Sequence, residues 1–164
     1  MFSSVRKESM RVLPFGFSQA SAVRELVRAE EVEHLLGLIS VLRWPWESWA
    51  MAVARWMRTQ IEFGKLRCEP ADPDDYGRIV WHSPGTTLRD RRGHREDFAL
   101  LLVALLRLGS LDVRMTLGTA DGDPHAWVEG TDAWGGFHID PTTGRYHTSR
   151  PADWDPAYTL DPPA

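Results

Sequence analysis

From Phe98 to Leu108 the chain consists almost wholly of apolar side chains: Phe98, Ala99, Leu100, Leu101, Leu102, Val103, Ala104, Leu105, Leu106 and Leu108, interrupted only by Arg107. A run of this length is too short to cross a bilayer, which needs about 20 apolar residues, and too apolar to lie on a surface. It predicts a helix buried on most of its sides. Glu96 and Asp97 precede the run, where negative charge complements the positive end of a helix dipole, and Gly109 follows it as a stop. Such a helix demands other elements packed around it. The chain has the material for that: 164 residues, 43% hydrophobic, with eight tryptophans, suit one domain with a sizeable core.

The flanking sequence indicates what those elements are. Upstream, Val23, Leu26, Val27, Val32, Leu35, Leu36, Ile39 and Leu42 recur at roughly helical spacing within 18–42, interrupted by Glu30, Glu31 and Glu33. Trp44-Pro45-Trp46 breaks this pattern. A second helical pattern follows through Trp46, Trp49, Ala50, Val53, Trp56, Met57 and Ile61, whose tryptophan stripe reads as core packing rather than a ligand platform. The stretch from Lys65 to Arg78 reads as an exposed loop, and Ser83-Pro84 should start a short helix that ends near Gly93. Downstream, Val113 to Gly118, Ala126 to Glu129 and Phe137 to Ile139 read as strands separated by turn-forming residues. Helices followed by an antiparallel sheet make an α+β domain. The reading is a single domain over 1–164, with an N-terminal helical extension (1–45), a core (46–150) and an irregular proline-rich tail (151–164).

Net charge of -4 gives no general attraction to nucleic acid or to an anionic membrane. Residues 1–17 lack the continuous apolar core of an export signal, so a cytoplasmic protein is expected. The single cysteine, Cys68, excludes an internal disulfide and a cluster of cysteine metal ligands.

Three segments carry chemistry. Gly93-His94-Arg95-Glu96-Asp97-Phe98-Ala99-Leu100 opens the buried helix, His125-Ala126-Trp127 lies in the second strand, and Asp140-Pro141-Thr142 follows the third. Trp81-His82-Ser83-Pro84 and Thr87-Leu88 precede them. Together these segments, from about Val53 to Thr143, resemble the transglutaminase-like superfamily, a branch of the papain-like enzymes. Its bacterial members often read Gly-Asp-Cys-Glu-Asp-Phe-Ala, then His-Ala-Trp, then Asp-Pro-Thr. The resemblance implies a papain-like core with a nucleophilic cysteine at position 95, His125 as base and acid, and Asp140 orienting the imidazole. It further implies an oxyanion site formed by the amide of residue 95 and a group near Trp81 or His82, with His94 and Trp127 bordering the cleft. No cofactor is implied. The expected partner is a peptide or protein segment, or a small acyl or amine molecule, with neither nucleic acid nor membrane involved.

Position 95 holds arginine, whose guanidinium stays protonated and is no nucleophile near neutral pH. Covalent acyl chemistry is therefore expected to be lost, leaving a pseudoenzyme that binds rather than reacts. The cation would pair with Asp140, Glu96 or a bound anion, giving a plugged cleft or an anion pocket. Two other readings stand beside this one. An active amide-bond hydrolase or acyltransferase would need a different nucleophile, with Cys68 the only thiol; a metal site would draw on His94, His125, His138 and Asp140. Taken singly, His125 is an ordinary strand histidine, Asp140 a turn residue, Asp97 a helix-terminal charge and Trp127 a core residue.

Overall fold

The computed structural model describes residues 10–11, 27–70 and 80–160. Its helices are α1 (His34–Leu42), α2 (Trp49–Glu62), α3 (Pro84–Asp90) and α4 (Arg95–Leu108). Its strands are β1 (Met10–Arg11), β2 (Arg67–Cys68), β3 (Val80–Trp81), β4 (Arg92–Gly93), β5 (Val113–Ala120), β6 (Asp123–Asp132), β7 (Gly135–Ile139), β8 (Tyr146–His147) and β9 (Trp154–Leu160). The apolar run becomes α4, and every residue from Phe98 to Leu106 is fully buried. The other helices pack against α4, as do β5 and β6. Those two strands lie in a five-stranded sheet of order β8-β7-β6-β5-β9, antiparallel throughout.

Alternation along the strands divides the sheet into two faces. Val113, Met115, Ala126, Val128, Phe137 and Ile139 join the hydrophobic cluster around α4. His125, Trp127 and Glu129 fall between these positions and take the opposite face. Trp127 is thus buried, as the sequence suggests, but not in the core that surrounds α4.

Local chemistry fixes the helix ends. Ser48 Oγ accepts the Met51 N–H (3.1 Å) and Ser83 Oγ the Thr86 N–H (3.3 Å), capping α2 and α3. At the far end of α4 the Trp49 indole donates to the Leu105 carbonyl (2.9 Å). The ring lies so close to Gly109 that a Cβ there would come within 2.2 Å of it. Trp49 holds α2 against α4, as its helical spacing implies, and Trp56 is partly buried against the core, but Trp46, read as part of the same stripe, precedes the helix and is 62% exposed.

Four segments differ from the sequence reading. The stretch 18–42 yields a short 3₁₀ turn (Ala29–Glu31) and then α1, the part before Val27 lying outside the described residues. The break falls where acidic residues interrupt the apolar pattern, and Glu31 turns away to accept the Gly85 N–H (2.7 Å) at the start of α3. Met10–Arg11, within the expected helical extension, is a strand paired with Val80–Trp81. In the expected loop Lys65 to Arg78, Arg67–Cys68 runs parallel to Arg92–Gly93, while 71–79 lie outside the described residues. The expected irregular tail contains β9, which pairs with β5 along Met115–Ala120. Its Pro156 is tolerated because β9 is an edge strand and the register shifts beside Pro156, between Leu117 and Gly118.

Candidate functional site

Asp97 organises the start of α4. Its carboxylate is fully buried and accepts the His82 N–H (2.6 Å) and the His94 N–H (2.9 Å), with His82 Nδ1 at 3.1 Å. The side chain folds back from the third position of the helix over Gly93, where a Cβ would lie 2.8 Å from the Asp97 Cβ. That close approach explains the glycine four residues before the aspartate. One carboxylate thereby ties the segment entering α3 to the N-terminus of α4 and satisfies two part-buried amides.

Arg95 is the first residue of α4. Its Nε donates to Glu96 Oε1 (3.1 Å), and its guanidinium reaches across to donate to the carbonyl of Pro124 on β6. Pro124 immediately precedes His125, so the position 95 side chain abuts the strand that carries the histidine. Arg95 is three-quarters buried in this crossing.

His125 and Asp140 face each other, Nε2 to Oδ1, at 3.6 Å, and both side chains are mostly buried. The same Oδ1 accepts the Thr142 N–H (2.9 Å) and the Thr142 hydroxyl (2.7 Å), an Asx-type turn that fixes the carboxylate. Burial pushes the Asp140 carboxyl up, but His125 and Thr142 outweigh it and hold the group below its ordinary range. Aromatic rings fix the other sides of the imidazole. Trp154 meets it edge-on with centroids 5.3 Å apart, Trp127 lies 6.2 Å away, and the two indoles are 5.0 Å apart. With a carboxylate held at Nε2, such an imidazole is oriented to exchange a proton through Nδ1.

Residues 46–141 match the family model of the transglutaminase-like superfamily. The chain belongs to the transglutaminase-like superfamily. No curated protein and no solved structure matches it. The span matched to the transglutaminase-like model includes α4, β6 and Asp140, and excludes Thr142 and Trp154.

Within this transglutaminase-like domain the residues singled out from sequence have distinct placements. Arg95, His125 and Asp140 form a chain of neighbours linked through Pro124. His82 and His94 meet at Asp97, although the His94 ring turns outward so that Nδ1 faces the Glu69 carbonyl (3.1 Å). Trp81 packs in the hydrophobic core, and the Trp127 N–H donates to Glu129 Oε2 (3.1 Å) beside His125. The four residues of the metal reading are not gathered. His94 faces Glu69, His125 faces Asp140 and His138 faces Glu129 (3.2 Å); among the described residues no three potential ligands are placed to hold a metal ion.

Cys68 lies opposite Gly93 in the β2–β4 pair, close to the α4 N-terminus, rather than in an exposed loop. Burial, reinforced by the negative charge of Glu96, pushes its thiol up to about 11. Sequence reasoning missed Trp154 because the surrounding prolines suggested a tail. It also treated Asp97 as an end charge; the signal available was its spacing from Gly93. Among the described residues no helix is long and apolar enough to cross a membrane.

Proposed function

We propose that this transglutaminase-like domain is a pseudoenzyme: position 95, where the family's cysteine nucleophile stands, carries an arginine, and the domain acts by recognising a peptide or protein rather than by acyl transfer. The observation that carries this reading is the crossing of Arg95 from the α4 N-terminus to the Pro124 carbonyl next to His125. It supports a plugged cleft over an anion pocket. The guanidinium donates to Glu96 and to Pro124, and an incoming anion would have to compete with a carboxylate already in place. His125 and Asp140 keep the geometry of a base and its orienting acid without a nucleophile to serve. A thiol held near 11 at Cys68 is almost wholly protonated at neutral pH, which weighs against an active enzyme built on it.

The test compares the native chain with Arg95→Cys and with Arg95→Cys/His125→Ala, using an electrophilic acyl probe and peptide amide, ester and thioester substrates. The native chain should show no turnover, and Arg95→Cys should acquire a reactive thiol whose labelling falls at least about 100-fold when His125 is removed. Sustained turnover by the native chain that disappears in His125→Ala would overturn the proposal.

A further inference from the structure

Helix α1 is apolar on two sides. Leu35 and Ile39 point into the core, whereas Leu38, Val41 and Leu42 are 49%, 83% and 50% exposed; just beyond the helix Trp44 and Trp46, ring centroids 5.1 Å apart, are 47% and 62% exposed, with the Arg55 guanidinium over the Trp44 ring. A surface helix ordinarily carries polar residues on its outer face. His34, Gly37 and Val41 follow one another at three- and four-residue spacing, so they share the outermost strip of this helix. Gly37 is the informative residue. Glycine inside a helix weakens it, and here no atom among the described residues lies within 4 Å of where a Cβ would stand. Among the described residues no packing explains the glycine, and the space above it is open to a partner.

We infer that a second copy of this chain docks on this face, the two α1 helices running antiparallel about a two-fold axis at the level of Ile39. In that register Val41 of each copy sits over Gly37 of the other, and His34 faces the other copy's Trp44. A two-fold contact requires a self-complementary patch, and a projecting valine one turn from an open glycine supplies both halves. Charge favours the same orientation. Exposed Glu30 and Glu33 lie at the N-terminal end of α1 and exposed Arg43 at its C-terminal end, so antiparallel packing sets opposite charges together and opposes the helix dipoles. The five apolar side chains expose on the order of 500 Å² per copy, at the lower limit of specific association, which implies a reversible dimer of modest affinity. This assembly is independent of the plugged cleft.

Sedimentation equilibrium of the full chain from about 1 µM to about 1 mM tests it. A monomer–dimer equilibrium is expected, weakened at least about 100-fold by Val41→Glu and by Gly37→Leu. Because the Gly37 position is open in the monomer, the leucine leaves the fold intact, which an unchanged circular dichroism spectrum verifies. Glu33→Arg should weaken the dimer and Glu33→Arg/Arg43→Glu should restore it. A monomer at every concentration, including one that instead co-sediments with phosphatidylcholine vesicles, overturns the inference. So does a dimer unmoved by Val41→Glu and Gly37→Leu, or a charge swap no tighter than Glu33→Arg alone.

Discussion

A fully buried carboxylate that accepts two backbone N–H groups and faces a half-buried imidazole cannot be removed without leaving polar groups unpaired. Asp97 holds that position. Replacing it with alanine strands the His82 and His94 amides, each at a cost of about 1–3 kcal/mol, so Asp97→Ala should destabilise the domain by roughly 2–5 kcal/mol in urea denaturation. Gly93→Ala should cost about 1–3 kcal/mol by overpacking, because its methyl would meet the Asp97 side chain. If both variants fall within about 0.5 kcal/mol of the native chain, Asp97 does not anchor the start of α4. At this scale the sequence was legible where residue type dictates chemistry. Arginine excludes a nucleophile in any fold, and the family resemblance carried by the His125 and Asp140 segments paired two residues that the structure sets 3.6 Å apart. Asp97 was not legible, because an acidic residue in the first turn of a helix usually faces water and only the fold places this one under the His82 loop.

Elements were legible in proportion to how fully one periodicity governed them. Helix α4 and strands β5 to β7 each carry one pattern, and the structure places them close to where that pattern ran. Strand β9 carries none, since Pro156 and the acidic residues beside it mask a segment whose pairing depends on the partner strand. What admits β9 lies partly in β5. At Gly118 a Cβ would stand 2.1 Å from the backbone oxygen of Asp155, so the bare glycine makes room for the edge strand at its irregular step. Backbone cannot swing aside as a side chain does. Gly118→Ala should therefore detach β9, costing about 2–4 kcal/mol, and should free Trp154 from His125. Hydrogen exchange provides the measurement: amides around Tyr158 and Thr159 should lose protection while those of α4 keep it. Uniform loss across the domain, or none, would show that β9 is not held through Gly118.

At the scale of the whole molecule, buried ionisable groups should give stability a dome-shaped dependence on pH, with its shoulders at identifiable residues. His138 lies against Glu129, its Nδ1 buried without a hydrogen-bond partner among the described residues. Burial pushes the imidazole below its ordinary 6.5, opposed by Glu129 and helped by Arg150 and His147. A group with a depressed folded pKa stabilises above its unfolded value and loses that contribution as pH falls, so the first acid loss should begin near 6.5. Asp140 follows at lower pH. So does Glu47, where two Arg55 hydrogen bonds of 2.7 and 2.8 Å overcome burial to hold the carboxyl down. The alkaline side has the opposite sign. Burial raises Cys68 from 9.0 to about 11, and burial with the Asp132 carboxylate raises Tyr146 from 10.0 to about 12; their contributions are complete below the unfolded values and lost as pH climbs through the folded ones. Thermal unfolding followed across pH should show a plateau between roughly 7 and 9 with decline on both sides. His138→Gln should erase the acid shoulder near 6.5 and leave the carboxylate limb in place, whereas Tyr146→Phe should flatten only the alkaline limb. A shoulder that persists in His138→Gln would assign it to another group. A native chain that keeps its full stability down to about pH 5 would mean that His138 takes up its proton as readily in the folded protein as in the unfolded chain.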